Sequence, residues 1–239
     1  MSSPKTIVVL TLAVVLLAAG FFAWPRFASW LAERVGPGNS LLSSTPDEID
    51  GARRSLGDLV LNGRPGRALD YRRAAFGAAW DDVDGNGCNQ RDDVLLRDLL
   101  KDRPYSLGRQ RECSHDVLAG TWIDPYTGAE IVLTDAKQRD QAQSVQIDHI
   151  VPLLAAWRYG AREWTDQQRL RFANDLANLV AAGGEANQSK GGSDAAEWRP
   201  VRAAQCGYAV RYVTVKHTYG LTSDAVEKAA LADMLATCP

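Results

Sequence analysis

Gln146-Ile-Asp-His-Ile-Val-Pro152 is the stretch on which the reading of this chain turns. Its apolar residues suit a short strand over 144–151, and the proline stops that strand. Within it a carboxylate, Asp148, stands beside an imidazole, His149. Downstream come Asn178-Leu179 and then Asn187-Gln-Ser-Lys190. Carboxylate and amide oxygens suit a hard divalent ion, and a neutral imidazole can take a proton from water. These are the groups that one-metal phosphodiester hydrolysis requires.

Taken singly, each residue has an ordinary reading. A strand histidine is more often packed than catalytic, Asn178 would end a helix, and Asn187 would fill a turn. Order and spacing together say more. Asp148-His149-Ile-Val-Pro152, Asn178-Leu179 and Asn187-Gln-Ser-Lys190-Gly191 resemble the HNH endonucleases of the ββα-metal (His-Me finger) group. The variant with asparagine at the last position is like the HNH domain of RNA-guided CRISPR nucleases and the C-terminal domain of GmrSD-type restriction enzymes. More loosely, Cys88 to Leu99, Trp122 to Gly128, Phe172-Ala-Asn-Asp175 and Lys190 to Trp198 resemble an exported actinobacterial branch of that family.

The resemblance implies an α+β, mostly helical domain built around a ββα-metal element. It makes His149 the general base, with Asp148 and Asn187 ligating one Mg²⁺ or Mn²⁺. Asn178 would orient the imidazole or the loop, with Asn174 in reserve. Many relatives carry histidine where Asn187 stands, and an amide oxygen suits Mg²⁺ better than a soft metal, which argues against zinc. Lys190 reads either as a substrate phosphate contact or as a surface lysine after a turn. Neighbours on a regular strand face opposite ways, so Asp148 and His149 share a site only if the backbone leaves strand geometry there.

The surroundings bear on where such a site works. The run from Ile7 to Trp24 is uncharged and close to the ~20 residues that span a bilayer as a helix, behind a short cationic lead containing Lys5. It reads as a membrane anchor or a secretory signal. Residues 25–49, with Gly-Pro-Gly and Ser-Ser-Thr-Pro, read as a flexible lead. The folded domain is expected over 50–239, its core motif over 144–198. Cys88, Cys113, Cys206 and Cys238 all lie beyond the apolar run, and none forms a CxxC pair. That favours disulfides in an exported domain over a zinc site. Three pairings are open, and sequence proximity suggests Cys88–Cys113 and Cys206–Cys238.

A formal net charge of −2 offers no overall basic face for a polyanion, although arginines cluster locally, as at Arg72-Arg73. Asp82-Val-Asp84-Gly-Asn86-Gly87, continuing to Asp93, partly matches a calcium loop but reads better as an acidic turn. His115 and His217 match nothing in the motif and read as structural. The periodicity predicts a helix over 91–102, a hairpin over 118–134, and helix starts at Thr165, Asp194 and Asp224. Pro200 suits the first turn of a helix running towards His217.

The leading function is therefore an extracellular endonuclease, secreted or anchored to the outer face of the cytoplasmic membrane. DNA is the favoured substrate, with RNA an alternative. A catalytically silent exported module of the same fold, binding nucleic acid or a cell-envelope partner, is the second reading, which the low net charge motivates. A toxin-like role would need an immunity protein that the sequence does not reveal.

Overall fold

Thr45 opens the fold. Its hydroxyl accepts from the Glu48 N–H while the Glu48 carboxylate accepts from the Thr45 N–H, a capping box with Pro46 in the first turn. It starts helix α1, Pro46–Asp58, which buries Ile49, Ala52 and Leu56. The folded unit thus reaches back into the expected lead, because the Thr-Pro that suggests a tether is here an N-cap. The structure, a computed structural model, describes residues 43–65, 68–78 and 80–239. The apolar run at 7–24 and residues 25–42 of the lead lie outside them. Among the described residues no helix is long and apolar enough to cross a membrane.

Asn89 caps α2, Gln90–Asp98, by accepting from the Arg91 and Asp92 N–H groups. Strands β1 (Ser106–Gln110), β2 (Cys113–Ile123) and β3 (Glu130–Leu133) form an antiparallel sheet in that order. The short helix α3, Arg139–Ala142, leads into β4, Val145–His149. Helices α4 (Leu153–Arg158) and α5 (Asp166–Asn174) follow, the second opened by the expected Thr165 capping box. The chain then returns as β5, Leu179–Gly183, antiparallel to β4 with His149 opposite Leu179. Helix α6, Gly184–Lys190, follows at once, completing a strand–strand–helix unit. Helices α7 (Gln205–Thr218) and α8 (Ala225–Leu235) close the chain.

The β4–β5 ribbon lies between two apolar cores. Val145, Ile147, Leu179 and Ala181 join a core with α2 and β2, whereas Val180 and Ala182 join a helical core with α1 and α7. Strand alternation alone produces this division. The ribbon is therefore held on both faces.

The structure departs from three local expectations. Asp194 and Glu197 make the capping-box hydrogen bonds, yet only a turn follows. Pro200 disfavours helix at the residue before it and lacks an N–H to extend one. Helix α7 begins at Gln205, after a 3-10 turn at Arg202–Ala204, and not at Pro200, because Val201 is extended and its N–H donates to the Tyr126 carbonyl at 3.0 Å. Strands β1 and β5 carry no alternation, so periodicity does not predict them.

Both neighbouring disulfides form, Cys88–Cys113 and Cys206–Cys238, across 25 and 32 residues, with no free cysteine. The first ties α2 to β2, the second the start of α7 to the end of the chain. Each closes a loop worth about 3 kcal/mol or more in the chain-entropy model. Reduction is expected to lower the denaturant midpoint markedly. An unchanged midpoint after complete thiol release would show the bridges to be dispensable.

Candidate active site

β4 ends at His149, and the backbone bends through Ile150 and Val151. Asn178 fixes that bend. Fully buried, it accepts from the Val151 N–H at 2.8 Å through Oδ1 and donates Nδ2 to the Val151 carbonyl at 3.3 Å. The Ile150 N–H donates to the Asn178 carbonyl at 2.8 Å. Asn178 therefore holds the chain just beyond His149, and its hydrogen bonds go to that backbone instead of the ring.

At the strand end Asp148 and His149 line one cleft of about 370 Å³ together with Asn187 and Arg73. Gln146 and Asp148 share the face towards α6, where Asn187 Nδ2 donates to Gln146 Oε1 at 2.8 Å. That contact spends the amide nitrogen of Asn187 and leaves its oxygen available. Asp148 Oδ2 accepts from the Tyr126 hydroxyl at 2.5 Å and pairs with Lys190 Nζ at 2.9 Å. Burial pushes the Tyr126 phenol well up, keeping it a donor. Among the described residues Asp148 Oδ1 has no hydrogen-bond partner, so each of these two residues retains an oxygen.

His149 Nε2 lies 2.8 Å from the Ala173 carbonyl oxygen. A carbonyl only accepts, so the proton sits on Nε2 and Nδ1 carries the lone pair. Desolvation pushes the imidazole down to about 4, although the Ala173 carbonyl and Asp148 act the other way. The ring is neutral at neutral pH, with its acceptor nitrogen unspent.

Lys190 departs from its expected place. It is fully buried, and Nζ donates to the His149 carbonyl at 2.8 Å while pairing with Asp148. It supports the strand end and has no surface to offer a substrate phosphate. Asn174, the reserve candidate, donates to the Leu170 carbonyl at 2.9 Å and lines a second hollow beside His149.

The other candidates read as structure. His115 bridges Asp93 at 2.8 Å and Cys88 Sγ at 3.4 Å, and His217 is exposed. Cys88, Cys113 and His115 gather within 4.8 Å, but the sulfurs are spent in the disulfide. In the acidic loop Asp82 accepts from the Gly85, Asn86 and Gly87 N–H groups, as an acidic turn would.

Sequence reasoning noted Arg73 only as half of a basic pair and passed over Trp80. The 3-10 turn Arg73–Phe76 brings Arg73 against His149, and Trp80 stands beyond it. Gly77, at φ 90°, ends that turn where a Cβ would come 2.5 Å from Leu170 Cδ1. Trp80 holds a left-handed backbone, φ 61°, an unfavourable state that packing must offset. The adjacent arginines and the tryptophan are the only signals, and neither has a motif.

A neutral imidazole, a carboxylate oxygen and an amide oxygen thus face one cleft at the end of a strand–strand–helix unit. The family model for the C-terminal domain of GmrSD restriction endonucleases matches residues 89–234, and the chain belongs to that family, which is nuclease-type and acts on nucleic acid. A protein from Arthroderma benhamiae, described as an uncharacterized secreted protein, is 37% identical over 201 residues, covering 81% of this chain and 89% of its own length.

Proposed function

We propose that the protein is an exported, metal-dependent endonuclease of the HNH type that hydrolyses phosphodiester bonds, DNA before RNA. The observation that carries this reading is the single cleft lined by Asp148, His149 and Asn187. His149 Nδ1 takes the proton of the attacking water, while the Ala173 carbonyl keeps the other ring proton in place. Asp148 and Asn187 hold one Mg²⁺ or Mn²⁺ through their remaining oxygens. When bound, that ion neutralises charge on the scissile phosphate and steadies the departing oxygen. Tyr126 and Lys190 orient Asp148, and Asn178 fixes the backbone that carries His149.

Family membership supports a nucleic-acid substrate, and the secreted relative together with the two disulfides supports export. The segment 7–24 then delivers the domain outside the membrane, as an anchor or a cleaved signal. Protease treatment of intact cells should remove the domain, or it should appear in the medium. A domain protected inside intact cells would reverse the orientation.

The oxidised protein should nick plasmid DNA with Mg²⁺ or Mn²⁺ and stop on addition of EDTA. No cleavage with any divalent ion would sink the enzymatic reading. Asp148→Ala and Asn187→Ala should each raise the metal concentration needed for half-maximal activity by ~10–100-fold or more, since even residues that only orient a ligand have effects of that size. Unchanged metal dependence in either variant would remove that residue from the ligand set.

A further inference from the structure

On the side of His149 towards Phe76 and Trp80 lies a second hollow, of about 230 Å³. Phe76, Trp80 and Leu153 form much of its wall, with Asn174 and His149 as polar members. It shares Arg73, His149 and Leu153 with the cleft that holds Asp148 and Asn187. The two cavities are thus neighbours that meet at the imidazole. Their chemistry differs: one offers oxygen donors, the other aromatic and aliphatic carbon.

Arg73 stands at the junction, and it is exposed. Arg158 pairs with Glu197, Arg162 with Asp70 and Arg169 with Asp166, whereas Arg73, like Arg72 beside it, carries no ion pair among the described residues. Among the described residues no carboxylate lies within ion-pair distance of Arg73. Arg73 lies beside the Tyr71 hydroxyl, and a guanidinium without a counter-charge at the mouth of a candidate phosphodiesterase cleft is complementary to a phosphate. An aromatic-walled hollow next to a phosphate-binding cation is the combination by which proteins hold single strands, with the base stacked and the backbone paired. The volume falls below the roughly 300–1,000 Å³ of drug-sized ligand pockets and suits one planar ring system.

We propose that this hollow takes the base of a nucleotide flanking the scissile phosphate, with Arg73 on that phosphate, so that the protein acts on unpaired nucleic acid in preference to duplex. The proposal rests on the nuclease reading above. A base in a duplex would have to leave its stack to enter, whereas a single strand offers it without that cost.

The test is fluorescence anisotropy with the full-length protein in EDTA, where no cleavage occurs, using a labelled single-stranded oligonucleotide and the matching duplex. The single strand should bind at least about tenfold tighter. Trp80→Ala should remove about tenfold of single-strand affinity, the value of one stacked base, and leave duplex affinity unchanged. Trp80→Phe should retain most of it, and matching unfolding midpoints would exclude a folding defect. Arg73→Ala should weaken binding of both forms and reduce the salt slope by about one contact. Equal or tighter duplex binding, or a Trp80→Ala variant with full single-strand affinity, would overturn the subsite. Cleavage of plasmid and of the same single-stranded oligonucleotide by the parent with Mg²⁺ separates the two claims, and absence of cleavage means that neither is cut. Cleavage without a Trp80 effect on binding removes the subsite alone. Trp80-dependent single-strand binding without cleavage upholds the subsite and removes the nuclease reading.

Discussion

His149→Ala is expected to reduce plasmid cleavage by ~10²–10⁴-fold, the usual cost of losing a general base. The expectation follows from the ring's surroundings. Nε2 is committed to the Ala173 carbonyl at 2.8 Å, and burial holds the imidazole neutral, down at about 4. Only Nδ1 is left to accept a proton, and among the described residues no donor competes for it. The variant also strips the part-buried Ala173 carbonyl of its donor, which costs at most the ~1–3 kcal/mol of a buried unsatisfied group. Cleavage should therefore be measured well below the variant's unfolding midpoint, with metal binding followed in parallel. Loss of cleavage with metal binding retained supports the role of base. Activity within a few-fold of the parent would mean that another group takes the proton.

Lys216→Met should destabilise the fold by ~3–5 kcal/mol, the cost of breaking a buried ion pair from one side. Lys216 and Glu227 are both fully buried and paired with each other, joining α7 to α8. Glu227 also accepts from the Tyr212 hydroxyl at 2.9 Å and the Ser223 hydroxyl at 2.7 Å, and Lys216 lies 3.8 Å from the centre of the Tyr159 ring. Desolvation pulls the Lys216 ammonium down, and Glu227 opposes that pull. Without the lysine, Glu227 keeps its hydroxyl partners but loses its counter-charge. Pairing Lys216→Met with Glu227→Met should recover much of the loss, because two apolar groups leave no orphaned charge. Denaturant unfolding of both variants checks this. A single variant within ~0.5 kcal/mol of the parent, the range of ordinary surface changes, would show that water reaches Glu227.

Elements whose signals close over a few residues are legible in the sequence. The Thr165 and Asp224 caps start α5 and α8 because each side chain bonds N–H groups within its own first turn. The β2–β3 hairpin is legible from its turn, and α2 from its apolar side. β5 is not, because both its faces are covered and Leu-Val-Ala-Ala shows no alternation. Nor is α6, a short helix that starts on glycine without a side-chain cap. Asp194 bonds its turn as a helix cap would, and Pro200 a few residues on decides the outcome.

Asp148, His149, Asn178 and Asn187 stand out by their order along the chain; the fold brings Asp148, His149 and Asn187 to one cleft and sets Asn178 behind it, on the Val151 backbone. By itself the sequence determined the elements with local hydrogen-bond signatures and the identity of the chemical groups, and it suggested the neighbouring disulfide pairs without closing the alternatives. Tertiary structure alone decided which atoms of those groups are spent and which remain. Asn187 turns its nitrogen to Gln146, His149 commits Nε2 to Ala173, and Lys190 is buried against Asp148 instead of facing a substrate. It also brought Arg73 and Trp80 from far upstream to the imidazole. The reason is range: a cap or turn is completed by residues within one turn of chain, whereas a buried partner is supplied by whichever distant segment packing brings alongside.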